Sequence, residues 1–188
     1  MQRVFLIHGW GGSPNNDWLP WAKRTLVGKG YEVFTPTMPD TEHPKITPWV
    51  DTLKEIVGQP RVDDVFVGHS IGCQTVLRYL EMLPENQKVS RVILIAPWWF
   101  LTLDANEEQA DADPWLKIDI DFGKIKTKAN KFVAVFSDND PFVTPEKNLE
   151  FFRENLNPEI IVKRKMGHFI ESDGVKDLPF LLKLLNLK

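Results

Sequence analysis

The sequence predicts an α/β fold built on a mostly parallel, doubly wound sheet of about six strands with helices on both faces. Six short apolar runs, rich in Val, Ile and Phe, alternate with amphipathic stretches along 188 residues. The runs are apolar on both faces, as buried parallel strands are, and this alternation of strand and helix signals is typical of the architecture. A chain of this length suits one core, so we expect a single domain over residues 1–188.

The apolar runs predict the strands directly. They are Val4–Ile7, Tyr31–Phe34, Val65–Val67, Val92–Ala96, Phe132–Phe136 and Ile160–Val162. We expect the strand order 2-1-3-4-5-6, in which ligands lie beyond the carboxyl ends of the strands, near the point where the order reverses. The first and third strands meet at that point, so the residues that follow them matter most.

Start and stop signals between the strands predict four helices. They cover residues 18–27, 48–57, 71–83 and about 173–186. Thr47 is the predicted N-cap of the second helix, with Pro48 at its first position. The segment 97–128 is longer than a usual connection, and we expect it to be an excursion over the active site with one helix inside it.

Composition excludes several classes of protein. The net charge of −3 shows no basic excess, so nucleic acid is not an expected partner. No apolar run approaches the roughly 20 residues that span a bilayer, and the first 30 residues have no signal-peptide pattern. A single cysteine, Cys73, fits a reducing compartment. We therefore expect a cytoplasmic protein with no membrane partner.

The third strand runs straight into Gly68-His69-Ser70-Ile71-Gly72, and a helix follows. In this Gly-x-Ser-x-Gly pattern the serine occupies a strained turn that exposes its hydroxyl, and the glycines let strand and helix approach closely. The helix N-terminus adds positive potential where negative charge develops. The pattern predicts Ser70 as a nucleophile; the alternative is a glycine-lined turn with a capping serine.

The first strand ends in His8-Gly9-Trp10-Gly11-Gly12. Such a loop can aim a backbone amide at a substrate oxygen, and we expect the amides of Trp10 and Ile71 to form an oxyanion hole. Two alternatives are a structural turn and a phosphate cradle, although Pro14 breaks the dinucleotide pattern Gly-x-Gly-x-x-Gly. His8 is expected to support the loop by hydrogen bonds.

An acid and a base follow the last two strands in the chain order Ser, acid, His that α/β-hydrolases use. Two aspartates, Asp138 and Asp140, follow the fifth strand. Pro141 biases Asp140 toward an extended backbone, which favours it as the acid, whereas Asp138 suits a turn. His168 follows the sixth strand and is the predicted base. The alternative is that these residues serve a surface turn and a strand end only.

The other histidines fit the role of base less well. His69 adjoins the nucleophile, and its side chain is expected to point away, while His43 lies in a polar, solvated loop. In the resulting mechanism His168 takes the proton of Ser70, Asp140 orients the imidazole, and an acyl-enzyme forms and is hydrolysed. This chemistry needs no metal and no cofactor.

These motifs together resemble one family. The segments that carry the resemblance are His8–Gly12, Trp18–Trp21, Met38–Asp40, Gly68–Gly72, Asp140–Phe142 and Gly167–Phe169. They are similar, in order and over nearly the whole chain, to the small serine hydrolases related to retinoblastoma-binding protein nine and the bacterial YdeN-like proteins. The resemblance implies a minimal six-stranded α/β-hydrolase fold with no large cap domain, and a triad of Ser70, Asp140 and His168.

Tryptophans suggest where a substrate would bind. Trp98 and Trp99 follow the fourth strand, and Trp115 lies in the excursion, so all three either wall a substrate pocket or pack in the core or lid. The leading hypothesis is a serine hydrolase of small carboxylic esters, with amides or thioesters as further substrates. The alternatives are a non-catalytic protein-interaction module on a hydrolase scaffold and a flavodoxin-like nucleotide binder.

Overall fold

The computed structural model describes residues 1–103 and 106–185. Its centre is one six-stranded sheet in the order β2-β1-β3-β4-β5-β6, and every neighbouring pair is parallel. The strands are β1 (Arg3–Ile7), β2 (Glu32–Phe34), β3 (Val65–His69), β4 (Val89–Ile95), β5 (Ala129–Ser137) and β6 (Glu159–Lys163). The predicted fold class and strand order are confirmed.

Two strands begin three residues earlier than their apolar runs. The added residues of β4 and β5 include the polar side chains of Arg91 and Lys131, which hydrophobicity alone does not assign to a strand. These two residues are partners in the β4–β5 ladder. Backbone pairing therefore extends both strands beyond the apolar part that predicted them.

Seven α-helices flank the sheet in the described residues. They are α1 (Leu19–Gly28), α2 (Ile46–Val57), α3 (Ile71–Met82), α4 (Asn106–Lys117), α5 (Phe122–Lys126), α6 (Pro145–Asn155) and α7 (Pro179–Leu184). None of them has the length and apolar character that a bilayer crossing requires.

The prediction for the start of the second helix is wrong by two residues. Helix α2 begins at Ile46, with Lys45 rather than Thr47 as its extended N-cap. Pro48 is then the third helical residue, a position where the missing N–H costs nothing because the first four amides of a helix have no intrahelical partner.

Two further helical predictions need correction. The region 173–186 is not one helix. A 3₁₀ turn at Glu171–Asp173 ends at Gly174, which has a φ of 83°, and α7 starts only at Pro179. Residue 186 lies outside the described residues. The excursion holds two helices, α4 and α5, rather than one; its residues 104 and 105 also lie outside the description. In the described part of the excursion no large cap domain is present.

Hydrophobic side chains pack on both faces of the sheet. Along β1, Phe5 and Ile7 point to one face, against α2, α3 and the excursion, whereas Val4 and Leu6 point to the other, against α1 and α7. All four side chains are fully buried. Because both faces are covered, the carboxyl edge of the sheet is left for a functional site.

Candidate active site

Ser70 lies in the sharp turn between β3 and α3. Its φ of 52° and ψ of −119° are rarely adopted by a residue with a side chain. The turn is held because the Ser70 amide donates to the Ile95 carbonyl oxygen at 2.9 Å and the Ser70 carbonyl oxygen accepts from the Cys73 amide at 2.9 Å. The surrounding structure therefore maintains a strained backbone that presents the hydroxyl at the carboxyl edge of the sheet.

The two glycines of the motif are required because neighbouring backbone atoms lie too close to admit a side chain. A Cβ atom on Gly68 would lie 2.7 Å from the Cys73 nitrogen, and one on Gly72 would lie 2.5 Å from the Ile7 carbonyl oxygen. Gly68 thus lets α3 start directly above β3, and Gly72 lets α3 pass against β1. Any larger residue at either position would displace the backbone that carries Ser70.

The structure joins the predicted acid to the predicted base. The Asp140 side chain is 1% exposed, and its Oδ2 lies 2.8 Å from Nδ1 of His168. Its Oδ1 accepts from the amides of Phe142 and Val143, each at 2.9 Å. One carboxylate oxygen is therefore fixed by backbone, and the other is left to orient the imidazole.

Asp138 serves a different purpose. Its Oδ1 accepts from the Lys165 amide at 2.7 Å, and its side chain is 41% exposed. This bond is one of a series between residues 137–140 and 165–168, which we call the loop pairing. In the same series Ser137 Oγ accepts from the Met166 amide and Asn139 Oδ1 accepts from the Gly167 amide. The loop pairing holds acid and base loops side by side.

His168 is held at its backbone as well as at its ring. Its amide donates to Asp173 Oδ2 at 2.7 Å, and its carbonyl oxygen accepts from Nε2 of His69 at 2.8 Å. The Phe142 ring meets the imidazole edge-on with centroids 5.3 Å apart. These contacts leave Nε2 of the imidazole as the nitrogen available for chemistry.

Ser70 and His168 line the same cavity, of about 350 Å³. Within the described residues no hydrogen bond joins their side chains. Hydrogen bonds between nucleophile and base are often long in a free enzyme and shorten when substrate binds, so this arrangement is compatible with catalysis.

Two backbone amides are available beside the serine. In the described part of the chain, no hydrogen bond uses the amide of Trp10 or that of Ile71, the first residue of α3. The next amide of the loop, that of Gly11, is taken by the Thr41 carbonyl oxygen at 2.8 Å, and the Trp10 indole donates to the Glu42 carbonyl oxygen at 2.9 Å. These bonds fix the loop and leave two donors free.

His8 supports this loop, as expected. Its Nδ1 donates to the Gly9 carbonyl oxygen at 2.8 Å, and its Nε2 accepts from the Met38 amide at 3.1 Å. Burial lowers the pKa of His8, which keeps the ring neutral and preserves both bonds. Its role is structural.

The three tryptophans expected at the pocket have separate positions. Trp98 lines the cavity. Trp99 lies elsewhere, because its ring stacks on Phe151 with centroids 4.9 Å apart. Trp115 also lies away from the cavity: it is fully buried beside Trp49, and its indole donates to the Pro44 carbonyl oxygen at 2.9 Å. For Trp99 and Trp115 the alternative of packing in core or lid is the one that the structure shows.

The cavity wall is otherwise apolar and acidic. Its aliphatic and aromatic members besides Trp98 are Trp10, Leu101, Leu103, Phe142 and Ile170, and its carboxylates are Asp17, Glu42 and Glu108. Burial raises the pKa of Asp17, whose Oδ1 accepts from the Glu171 amide at 2.8 Å. The wall beside Ser70 and the two free amides suits an uncharged ligand with an apolar part.

Several residues at the site were not identified from the sequence. His69 does not point away: it lines the cavity and contacts His168. Asn139 and Asp173 hold the base loop, and Asp17 lines the cavity. The density of polar residues after the fifth strand was a usable signal for Asn139, whereas the others are brought in by tertiary packing.

Comparisons with known proteins identify the family of this chain. The model of the serine hydrolase family matches residues 4–187. The chain is 27% identical to the protein YdeN of Bacillus subtilis (strain 168) over 186 residues, which are 98% of this chain and 94% of YdeN. The crystal structure of YdeN matches with a TM-score of 0.89 at 26% identity, over 99% of this chain and 97% of that one.

More distant structures share the fold. Est1E from Butyrivibrio proteoclasticus and a carboxylesterase of Nitrososphaera gargenis match with TM-scores of 0.71 and 0.70, each at 16% identity over 98% of this chain and 88% of theirs. The resemblance to YdeN-like proteins is thus confirmed, and that to retinoblastoma-binding protein nine stays a prediction. The chain belongs to the serine hydrolase family, and it is a hydrolase with the α/β-hydrolase fold.

Proposed function

We propose that this hydrolase cleaves small carboxylic esters through a triad of Ser70, His168 and Asp140 and an acyl-enzyme intermediate. The observation that carries the proposal is the 2.8 Å bond between Asp140 and His168 beside a cavity that Ser70 also lines. The carboxylesterase among the structures with the same fold supports esters as the substrate class. The cytoplasmic location expected from the single cysteine stays a prediction.

Acylation follows from the positions of these groups. The Ser70 oxygen attacks the ester carbonyl carbon while Nε2 of His168 takes its proton. The tetrahedral intermediate carries its negative charge on the former carbonyl oxygen, where the amides of Trp10 and Ile71 donate. Collapse breaks the bond to the alcohol oxygen, and the imidazolium returns its proton to that leaving group.

Deacylation repeats the sequence with water. His168 removes a proton from the attacking water, and the released Ser70 oxygen takes the proton back as the acid departs. Throughout both steps Asp140 accepts from Nδ1–H, which fixes the tautomer and stabilises the imidazolium. Because two backbone amides hold its other oxygen, the carboxylate does not have to reorient when the imidazole changes charge.

A fluorophosphonate probe tests the nucleophile. Wild type should be labelled, and Ser70→Ala should lose both labelling and turnover of a short p-nitrophenyl ester, by a factor on the order of 10⁴ to 10⁶. Ser90→Ala is a matched control, since this serine lies at the start of β4. Equal labelling of Ser70→Ala, or an unlabelled and inert wild type, would reject the proposal; in the latter case a non-catalytic interaction module is the alternative.

A further inference from the structure

We propose that His69 is a positioning residue, which holds His168 in place relative to Ser70 by donating a hydrogen bond to the His168 carbonyl oxygen. The inference rests on the proposed triad and adds a role that the triad itself does not contain. His69 ends β3 and directly precedes the nucleophile, so its backbone position is fixed by the same strand.

The contact is close and shielded from water. Nε2 of His69 lies 2.8 Å from the carbonyl oxygen of His168, although 99 residues separate the two in the sequence. The two rings also touch, with centroids 5.2 Å apart. Because His69 is only 1% exposed, water does not compete for this bond.

The other bonds of His168 do not tie it to the nucleophile. Its ring bonds to Asp140 in the β5–α6 loop, and its amide bonds to Asp173 in the turn that follows it. Those contacts fix His168 relative to the β5–α6 loop and to its own loop. Among the hydrogen bonds of the described residues, the one from His69 connects His168 directly to the β3–α3 turn.

The backbone around His168 needs such an anchor. Gly167 has a φ of 52° and Phe169 a φ of 59°, so left-handed residues flank the base on both sides. For Phe169 this conformation is unfavourable and must be held by its surroundings. A donor fixed to the end of β3 supplies that restraint at the carbonyl group between the two.

His69 is suited to be a permanent donor. A carbonyl oxygen only accepts, so Nε2 of His69 carries a hydrogen and Nδ1 has the lone pair. Burial, reinforced by the nearby charge of His168, lowers the pKa of His69 to about 3. The ring therefore stays neutral at working pH and places no fixed positive charge beside an imidazole that becomes cationic during the reaction.

A pair of substitutions separates the hydrogen bond from packing. His69→Gln retains an amide nitrogen that can donate from a similar reach, while His69→Met has a comparable unbranched shape and no donor. We expect His69→Met to lower kcat by about 10- to 100-fold with KM within about twofold, and His69→Gln to stay within about threefold of wild type in kcat. Thermal unfolding of both variants checks that each is folded; should His69→Met not fold, His69→Leu takes its place.

A double-mutant cycle then tests whether His69 acts through His168. In a His168→Ala background, His69→Met should not lower the residual rate further, because the group it positions is gone. Wild-type kcat in His69→Met, equal losses in the Gln and Met variants, or a full additional loss in the double variant would each overturn the proposal. If wild type is labelled and active but one of these three results is obtained, the proposed triad is still supported and only the role of His69 is rejected.

Discussion

Two buried aspartates at opposite edges of the sheet have opposite uses. Asp64 directly precedes β3 at the amino edge, and Asp140 follows β5 at the carboxyl edge; their side chains are 0% and 1% exposed. Asp64 accepts from Nε and Nη2 of Arg3 at 2.8 and 2.6 Å and from the Arg61 amide at 2.7 Å. Asp140 accepts from two amides and from the His168 imidazole.

The difference lies in the partner rather than in the carboxylate. Arg3 is always protonated, and its Nη1 and Nη2 also donate to the carbonyl oxygens of Val57 and Gln59, so this pair does not change charge. His168 is an imidazole, whose ring nitrogens can serve as donor or acceptor, and it faces a cavity. A buried pair with a permanent cation holds structure, whereas a pair with an imidazole at a cavity is placed where chemistry can occur.

The largest expected effect is on activity at the carboxyl edge. Asp140→Asn keeps the shape of the side chain but removes the charge that orients and stabilises the imidazolium, so kcat should fall on the order of 10⁴-fold while the protein stays folded. Asp138→Asn is the matched control, because the asparagine Oδ1 can still accept from the Lys165 amide and only the exposed contact with Arg164 at 4.0 Å is weakened. We expect kcat within about twofold. Steady-state kinetics of both variants with the same ester decide the matter; equal losses would end the distinction between the two aspartates.

The next effect is on stability at the amino edge. Asp64→Asn leaves the buried Arg3 guanidinium without its counter-charge and should lower the free energy of unfolding by about 3–5 kcal/mol, with kcat of the folded fraction unchanged. Urea unfolding measures the loss. Glu159→Gln, which removes an exposed pair with Lys131, should cost less than about 1 kcal/mol. A loss no larger than that of the control would show that Asp64 is not a structural anchor.

The smallest effect concerns pH and the neutral histidine at the site. The pKa of His69 is about 3 when folded and rises to its ordinary value on unfolding, so below that ordinary value the unfolded chain binds a proton that the folded chain does not. The contribution of the neutral His69 side chain to the free energy of unfolding is complete near neutral pH and is lost as the pH falls toward 3. Between pH 7 and pH 4 this amounts to about 3 kcal/mol.

A comparison of variants isolates the contribution of His69 to the pH dependence of stability. The decrease in unfolding free energy from pH 7 to pH 4 should be smaller in His69→Gln than in wild type by that amount. The hydrogen bond to Asp111 raises the pKa of the exposed His43, so His43→Gln should change the acid-induced loss in the opposite direction, making it slightly larger than in wild type. The same acid-induced loss in His69→Gln and wild type would contradict the assignment of a neutral, buried imidazole.

Local patterns predicted the strands and the proposed triad for different reasons. A strand buried on both faces needs an unbroken apolar run, which is visible in the sequence, and the nucleophile turn needs glycines at fixed spacing because Gly68 and Gly72 each touch backbone. The acid and base then follow from chain order. Pro141 pointed to Asp140, which is the one of the two aspartates that contacts His168; its role as the acid stays a prediction.

Other features depend on contacts that no local pattern encodes. Trp99 and Trp115 were equally compatible with pocket and core, and only the positions of Phe151 and Trp49 decide between them. Helix α6 was missed because its sequence is mostly polar, although it buries Phe152. The role of His69 required knowing which carbonyl group lies opposite the end of β3, which is a tertiary contact.

The loop pairing joins the loops of Asp140 and His168 through contacts that the loops make with each other. The side chains of residues 138, 137 and 139 accept from the amides of 165, 166 and 167 respectively, so the two loops lie side by side where the imidazole meets the carboxylate. Helix α6 and strand β6 connect these loops without contributing a side chain to the cavity wall. Substitutions at exposed positions of α6 and β6 should therefore leave the contact between Asp140 and His168 in place, whereas Asn148 and Phe152 of α6 are buried in the interior.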